Sequence, residues 1–369
     1  MRINKIYIIK SKFYDVVIID QLHSNLFDIL IKNRKKLIIP VRESIPIILN
    51  FNFFYKLFFY LVKNKFSYSK IRTNYLSFLF KFIKTKKVFT FYENTNRIRN
   101  LKKKFPNIKF YTFINGTRVP NYKYKHDNFV SWGKIYYQMD KSNLSIKSNN
   151  YLNLGSLRLL NYKNQIKKKI KENYDLLYIS SFSSVTLTSN RNIFSIYKYI
   201  KMNEIRLMRN LSYLNNSKNI NLKVLMKNKK SDRDFFEEYS YLLKYFSKRN
   251  IVIKNRELDS YHYIENSKIT ISLVSALGLE ALSLNTKVLL GFPIFKKNKM
   301  KHWSSLDYYC KYLKPQFSLS SLSADHLLKK IKFLETIKKK DYNKLTENCR
   351  NFYSVKPVLK KFLKRIYEN

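Results

Sequence analysis

Ser272, Ser275, Ala276, Leu277, Gly278 and Glu280 fall within one stretch, ITISLVSALGLEALSLNTKVLLGFP, residues 269–293. Residues of these types can hold a phosphate. An apolar run ends in serines, turns near Gly278 and feeds a helix, whose first backbone N–H groups lack partners and carry about half a positive charge. Small side chains at 275, 276 and 278 let phosphate oxygens approach, and the hydroxyls add donors. Glu280 follows closely enough to accept hydrogen bonds from two ribose hydroxyls, as the acidic residue of a dinucleotide fold does. The same spacing suits a plainer use, with Ser275 capping the helix and Glu280 complementing its dipole.

A site of this kind needs a strand before it and a sheet around it. Apolar runs predict strands at residues 15–20 (DVVIID), 36–41 (KLIIPV), 88–91 (VFTF) and 108–114 (IKFYTFI), with helices over 26–32, 51–63 and 69–84. After a lysine-rich linker at 163–171 the alternation resumes, with strands at 176–180, 222–226, 251–254, 269–273 and 288–290. Helices are expected between them at 204–214, 234–246 (with Ser231 or Asp232 as N-cap) and 277–284. Strand–helix alternation implies parallel sheets with helices on both faces. The expected fold is therefore α/β, two Rossmann-like domains facing across a cleft. The first spans 1–162, the second 172–325, and a helical tail over 326–369 crosses back over the first half.

Composition narrows the classes. The chain has 369 residues and a formal net charge of +49, yet 45% of it is hydrophobic and 16% aromatic, which excludes a disordered basic tail. Lys, Asn, Ile, Tyr and Phe are abundant together while Gly numbers 5, the pattern of an AT-biased coding sequence, so part of the charge is background. Basic residues are spread along the whole chain and form no stripe, and no specific nucleic-acid partner is expected. Two cysteines without metal spacing exclude a disulfide scaffold or a zinc ribbon. Lys10 and Lys12 interrupt what would be a signal-peptide core, which predicts a cytoplasmic protein. Pro46, Asn50, Asn52 and Lys56 break the most apolar stretch short of a spanning helix. The aromatic segment 51–65 (FNFFYKLFFYLVKNK) reads either as a core helix or as an interfacial one with cationic flanks, suited to an anionic membrane surface.

The S-x-x-G-L-E-A-L-x-x-x-x-K-V-L pattern beginning at Ser275 resembles the donor-binding segment of GT-B glycosyltransferases, especially bacterial surface-carbohydrate, capsule and lipopolysaccharide transferases. FINGTR (113–118), FVSWGKIYYQ (129–138), LNLGSLR (152–158) and LLYISSFSS (176–184) follow one another as in proteins of that kind, so the resemblance covers roughly residues 85 to 295. It implies that a nucleotide-sugar, a substrate and not a cofactor, sits on the second domain. Its phosphates would lie at Ser275, Ala276, Leu277 and Gly278, its ribose near Glu280 and its base near 255–262. Lys227, Ser180 and Ser181 would line the cleft, although KNKK stands where many relatives have a His-Pro pair. The acceptor, a glycan or a lipid-linked one, implies a proton-accepting side chain in the first domain. Candidates at strand ends are Glu93 and Asp20, the latter with His23, and then Glu43. Asp20 also suits a helix cap, Glu43 a solvated loop and Glu93 a partner for Arg97. No metal is expected, since Asp232-Arg233-Asp234 sits past its strand at a helix start, where capping explains it, and the five histidines show no ligand spacing. The expected location is the cytoplasm, on the inner membrane face where the aromatic segment is read as interfacial. A polyol-phosphate transferase of the teichoic-acid type and a basic nucleic-acid-binding protein are the competing readings.

Overall fold

The computed structural model describes residues 5–10, 12–19, 23–40, 44–48, 50–91, 96–114, 124–133, 146–165, 174–182, 191–284, 286–291, 313–353 and 359–368. The first half contains β1 (Lys5–Ile9), β2 (Phe13–Tyr14), β3 (Val16–Ile19), β4 (Lys36–Ile39) and β5 (Ser44–Ile48). It continues with β6 (Lys84–Thr85), β7 (Lys87–Thr90), β8 (Lys109–Phe113), β9 (Tyr124–Ser131) and β10 (Ile146–Asn153). Six of these form a parallel sheet in the order β10-β9-β8-β7-β3-β4. The pairs β1-β5 and β2-β6 are short parallel additions.

The VVII run of β3 shows why this sheet is parallel and covered. Val17 and Ile19 face one apolar cluster, with Leu79, Val88 and Phe110, while Val16 and Ile18 face another, with Phe27, Phe89 and Phe113. A strand buried on both faces reads as an unbroken apolar run. Aromatic rings fill the second cluster, with Phe27 stacked on Phe91 at 4.5 Å and edge-on to Phe113 at 4.9 Å.

The second half holds β11 (Tyr174–Ile179), β12 (Leu222–Leu225), β13 (Ile251–Val252), β14 (Ser267–Ser272) and β15 (Lys287–Leu290). They pair in parallel in the order β13-β12-β11-β14-β15. Strand order reverses between β11 and β14 here, and between β3 and β7 in the first sheet. In open α/β sheets such reversals open the crevices that take ligands.

The short helix Leu157–Lys163 joins the halves. Leu157 and Leu160 pack into the first half's core, Leu159 and Tyr162 into the second's. The helices Ala324–Thr336 and Lys339–Tyr353 cover the second sheet through Leu327, Ile331, Leu334 and Tyr342. Among the described residues of the tail, the last helix, Leu359–Tyr367, is the part that crosses back, burying Phe362 and Ile366 against the first sheet and setting Arg34 3.7 Å over the Tyr367 ring. The helix over 204–214 extends to Arg191–Ser217, and that at 69–84 is Tyr68–Leu79, stopping before β6. The helix Phe51–Lys63 has its expected bounds, with Asn50 as N-cap, but buries only Phe53. Among the described residues no helix is long and apolar enough to cross a membrane.

Candidate functional site

The crevice of the second half lies at the carboxyl ends of β11 and β14, where Ile179 is paired with Ser272. The register therefore sets Ser180 and Ser181 beside the segment that leads to Ser275. Ser275 caps the helix Ala276–Ala281, its side chain accepting from the Leu277 N–H. Ser275, Ala276 and Leu277 are half-buried and remain reachable. Lys227 is exposed at the end of β12 and swings its ammonium over the β11 end, donating to the Phe182 carbonyl at 2.8 Å. Ser180 is buried, accepting from the Phe182 N–H, and shapes the turn rather than the crevice surface.

Two of the expected phosphate contacts serve packing instead. Ser272 is 0% exposed, and a Cβ on Gly278 would stand 2.6 Å from the Ser272 Cβ and 3.2 Å from Leu290 Cδ2. Gly278 is thus glycine because the helix lies directly against β14 and β15, a close approach that no side chain permits.

Glu280 is corrected in the same way. It is 1% exposed, and its carboxylate accepts from the Ser156 hydroxyl and, at 2.8 Å, from the Tyr261 hydroxyl, so it presents no free oxygen to a ribose. Burial pushes its pKa up, against the pull of Arg158 and of both hydroxyls. Ser156 and Arg158 come from the G-S-L-R turn. Gly155 there has φ 88°, the left-handed region that glycine enters without cost, and this turns β10 into the joining helix. Ser156 caps that helix through the Leu159 N–H while donating to Glu280, so the motif locks the halves together.

Two further carboxylates escaped the sequence reading. Glu204, buried on Arg191–Ser217, accepts from the Ser181 N–H at 2.6 Å and the Tyr178 hydroxyl at 2.7 Å. Burial pushes it up to about 7, with Glu238 adding to the rise. Glu238, 0% exposed, accepts from the N–H groups of Lys227 and Asn228, both at 2.8 Å. Each crevice loop is thereby held by an acid on a following helix. The readable signal is an acid on an apolar helix face, Glu204 beside Leu207, Met208 and Leu211, and Glu238 between Phe235 and Leu242.

Across the cleft a third arrangement forms. His23 follows β3 and sits at φ 63°, a costly conformation for a side chain of its size. Its Nδ1 lies 3.0 Å from Glu257 of the loop after β13, and Arg158 Nε is 2.7 Å from the other Glu257 oxygen. Arg158 also reaches within 3.5 Å of His23 Nε2. Burial alone would raise Glu257, but the His23 hydrogen bond and the charges of Arg158 and Lys254 outweigh it and hold it at about 2. Lys254, itself 8% exposed at the end of β13, is lowered by that burial. The carboxyl ends of both sheets therefore meet at a basic, partly open cluster, the setting for a ligand with anionic and hydroxyl groups. Asp20, Glu43 and Glu93 lie outside the described residues. Asp232 and Asp234 are held locally, Asp232 by the Lys229 N–H and Asp234 by Arg233, with Asp234 as the helix N-cap in place of Ser231 or Asp232. Among the described residues no three His, Cys, Asp or Glu converge to hold a metal.

No protein-family model and no curated protein sequence matches the chain. Solved structures do. A glycosyltransferase from Rickettsia africae ESF-5 aligns over 97% of this chain and 100% of its own, with 17% identity and a TM-score of 0.51. UDP-GlcNAc 2-epimerase from Neisseria meningitidis, bound to UDP-GlcNAc, aligns over 99% and 100%, with 13% identity and a TM-score of 0.53. A variant of the wall teichoic acid polymerase TagF aligns over 97% and 91%, with 11% identity and a TM-score of 0.54. At these identities the likeness is one of fold, the GT-B arrangement of two Rossmann-like halves.

Proposed function

We propose that the chain is a glycosyltransferase that moves a sugar from a nucleotide-sugar to a bacterial surface glycan, of the capsule or lipopolysaccharide kind. The observation that carries this reading is the His23–Glu257–Arg158 cluster, built where the carboxyl ends of two parallel sheets meet. The donor's phosphates would meet Ser275, Ala276, Leu277 and Lys227, with Ser181 beside them. Arg158 and Lys254 would offset the charge that develops on the departing diphosphate, so the reading calls for neither a resident metal nor a cofactor. In the transfer, the acceptor hydroxyl loses its proton to a base of the first half as its oxygen bonds the sugar's anomeric carbon. The bond from that carbon to the phosphate oxygen breaks, and the nucleoside diphosphate leaves with the electron pair. His23 is the base that the geometry favours, oriented through Nδ1 by Glu257; Asp20 and Glu93 stand as alternatives from the same strand ends. Action at the cytoplasmic membrane face, on a glycan or lipid-linked acceptor, belongs to the same proposal.

The test is ligand-observed NMR of the full chain against UDP-, GDP-, dTDP- and CMP-sugars, at low and high salt, with a Lys227→Ala, Ser275→Ala pair as control. One donor class should bind, persist in salt and weaken roughly tenfold or more in the variant. Equal binding of every anion, fading with salt, would mean that only the chain's charge was at work. The likeness to TagF favours one second reading, transfer of a polyol phosphate. 31P NMR of the product separates the two, because that reaction leaves a phosphodiester.

A further inference from the structure

A surface helix ordinarily turns its apolar stripe inward and its polar residues to water. The helix Phe51–Lys63 carries two stripes. The inner one is anchored by Phe53, which is 0% exposed and packs on Phe78 and Phe82 at 5.4 and 5.1 Å. The outer one runs Phe51, Phe54, Tyr55, Phe58, Phe59 and Val62, intervals of three, four, seven, eight and eleven residues from the first, which place it on one face. All six are exposed, Phe51 at 87% and Phe58 at 60%. Among the described residues nothing covers this face, and an apolar stripe of this length on the water side is costly unless something does.

Charge says what does. No Asp or Glu occurs anywhere in residues 44–92, whereas nine Lys and Arg do, Lys56, Lys63 and Lys65 among them. On the helix, Lys56 and Lys63 fall on one flank, between the exposed aromatics and the core, where lysine stems can lie along apolar surface and lift their ammonium groups toward phosphates. A protein partner of ordinary mixed charge would be met by acids as well as bases. An apolar stripe edged only by cations complements an anionic lipid surface.

We propose that the helix Phe51–Lys63 docks the protein onto anionic bilayers, its outer aromatic face lying in the headgroup–acyl boundary and its lysines against lipid phosphates. The inference deepens the proposed function by naming the element that meets the membrane, and rests on it only for the purpose of docking. It identifies which half faces the lipid, the one that holds His23.

The experiment is sedimentation of the full chain with vesicles of phosphatidylcholine, with and without phosphatidylglycerol. The wild type is compared with a Phe51→Ser, Tyr55→Ser, Phe58→Ser, Phe59→Ser variant, with circular dichroism as the check that both fold alike. All four positions point away from the core, so the fold has no reason to fail. Wild-type binding to the anionic vesicles should drop roughly tenfold or more in the variant. Lys56→Glu and Lys63→Glu should each weaken it about fivefold or more, as expected for a cation near an anionic surface. A Phe58→Trp variant should shift its emission to the blue when vesicles are added. Undiminished sedimentation of the serine variant would overturn the proposal and leave the net charge as the cause. A wild-type dimer in light scattering that the variant abolishes, with no vesicle binding, would also overturn it and give the face to a second copy. The donor panel run on the serine variant keeps the two proposals apart, since vesicle binding and nucleotide-sugar binding fail independently.

Discussion

The two sheets end differently. At the carboxyl end of the second, Glu204 holds the Ser181 N–H, Glu238 holds those of Lys227 and Asn228, and Glu280 holds Ser156 and Tyr261, each acid fully buried. The first half has no counterpart among its described residues. Its buried polar groups are Ser24, Ser77, Thr90, Thr112, His126, Ser131 and Ser156, and its space is filled by rings such as Phe27, Phe89, Phe91 and Phe113. A carboxylate that accepts backbone N–H groups fixes a loop to within a hydrogen bond, whereas an aromatic cluster fixes only volume. The half that the proposed reading gives to the nucleotide is thus held in shape by its own buried acids. Among the described residues of the other half, no loop is held by a buried acid.

The strongest way to break this contrast is Glu238→Ala. It leaves two backbone donors without their acceptor and should cost about 3 kcal/mol or more, read as faster amide exchange at 227 and 228 while β3 and β8 stay protected. Loss of protection in both halves together would mean that the sheets open as one unit and the contrast has no energetic content. Glu204→Gln sharpens it. Because the folded protein raises this carboxyl from 4.5 to about 7, the folded state binds the extra proton, and stability falls as pH rises through that interval. The wild type should lose on the order of 3 kcal/mol between pH 4.5 and 7 on this account, and Glu204→Gln should flatten the slope in thermal melts across that range. Gly278→Ala comes next, at about 1–3 kcal/mol of strain against Ser272 and Leu290, with the Ser272→Gly double variant costing less than the sum of the two singles. The smallest effect is expected at Glu257→Gln. Glu257 is held at about 2, below its ordinary 4.5, so its contribution is present above pH 4.5 and is lost as pH falls toward 2. With its side chain 37% exposed, that contribution is no more than about 1 kcal/mol, and denaturant melts at pH 7 should barely move.

The buried strands were legible because strands covered on both faces are written as apolar runs, VVII, LLYI and KVLL among them. β9 and β10 were not, since YKHDNFVS and IKSNNYLN alternate with Lys, Asn and Asp, and β10 is an edge. β1 and β5 escaped because their pairing, Ile8 with Ile47, is set by contacts far apart in sequence. The site shows the same division. Ser275 and its cap could be read from local spacing, as could the turn at Gly155. Glu204 and Glu238 lie 23 and 11 residues beyond the N–H groups that they hold, where spacing carries no information about partners. Glu280 was visible as an acid near a phosphate-like turn, but its burial depends on Ser156, 124 residues earlier. The outer face of Phe51–Lys63 was open to two readings because a ring at helical spacing looks the same whether protein or lipid receives it.

The return of the helix Leu359–Tyr367 to the first sheet has a bearing on synthesis. Phe362 and Ile366 complete a core that begins with Val16 and Ile18, yet a ribosome delivers them only after the whole second half. The earlier-made half therefore waits, with Phe113 lacking the Phe362 ring that packs on it, until the later-made half has emerged. A stop codon near residue 355 would expose the half that was translated first, not the one it truncates.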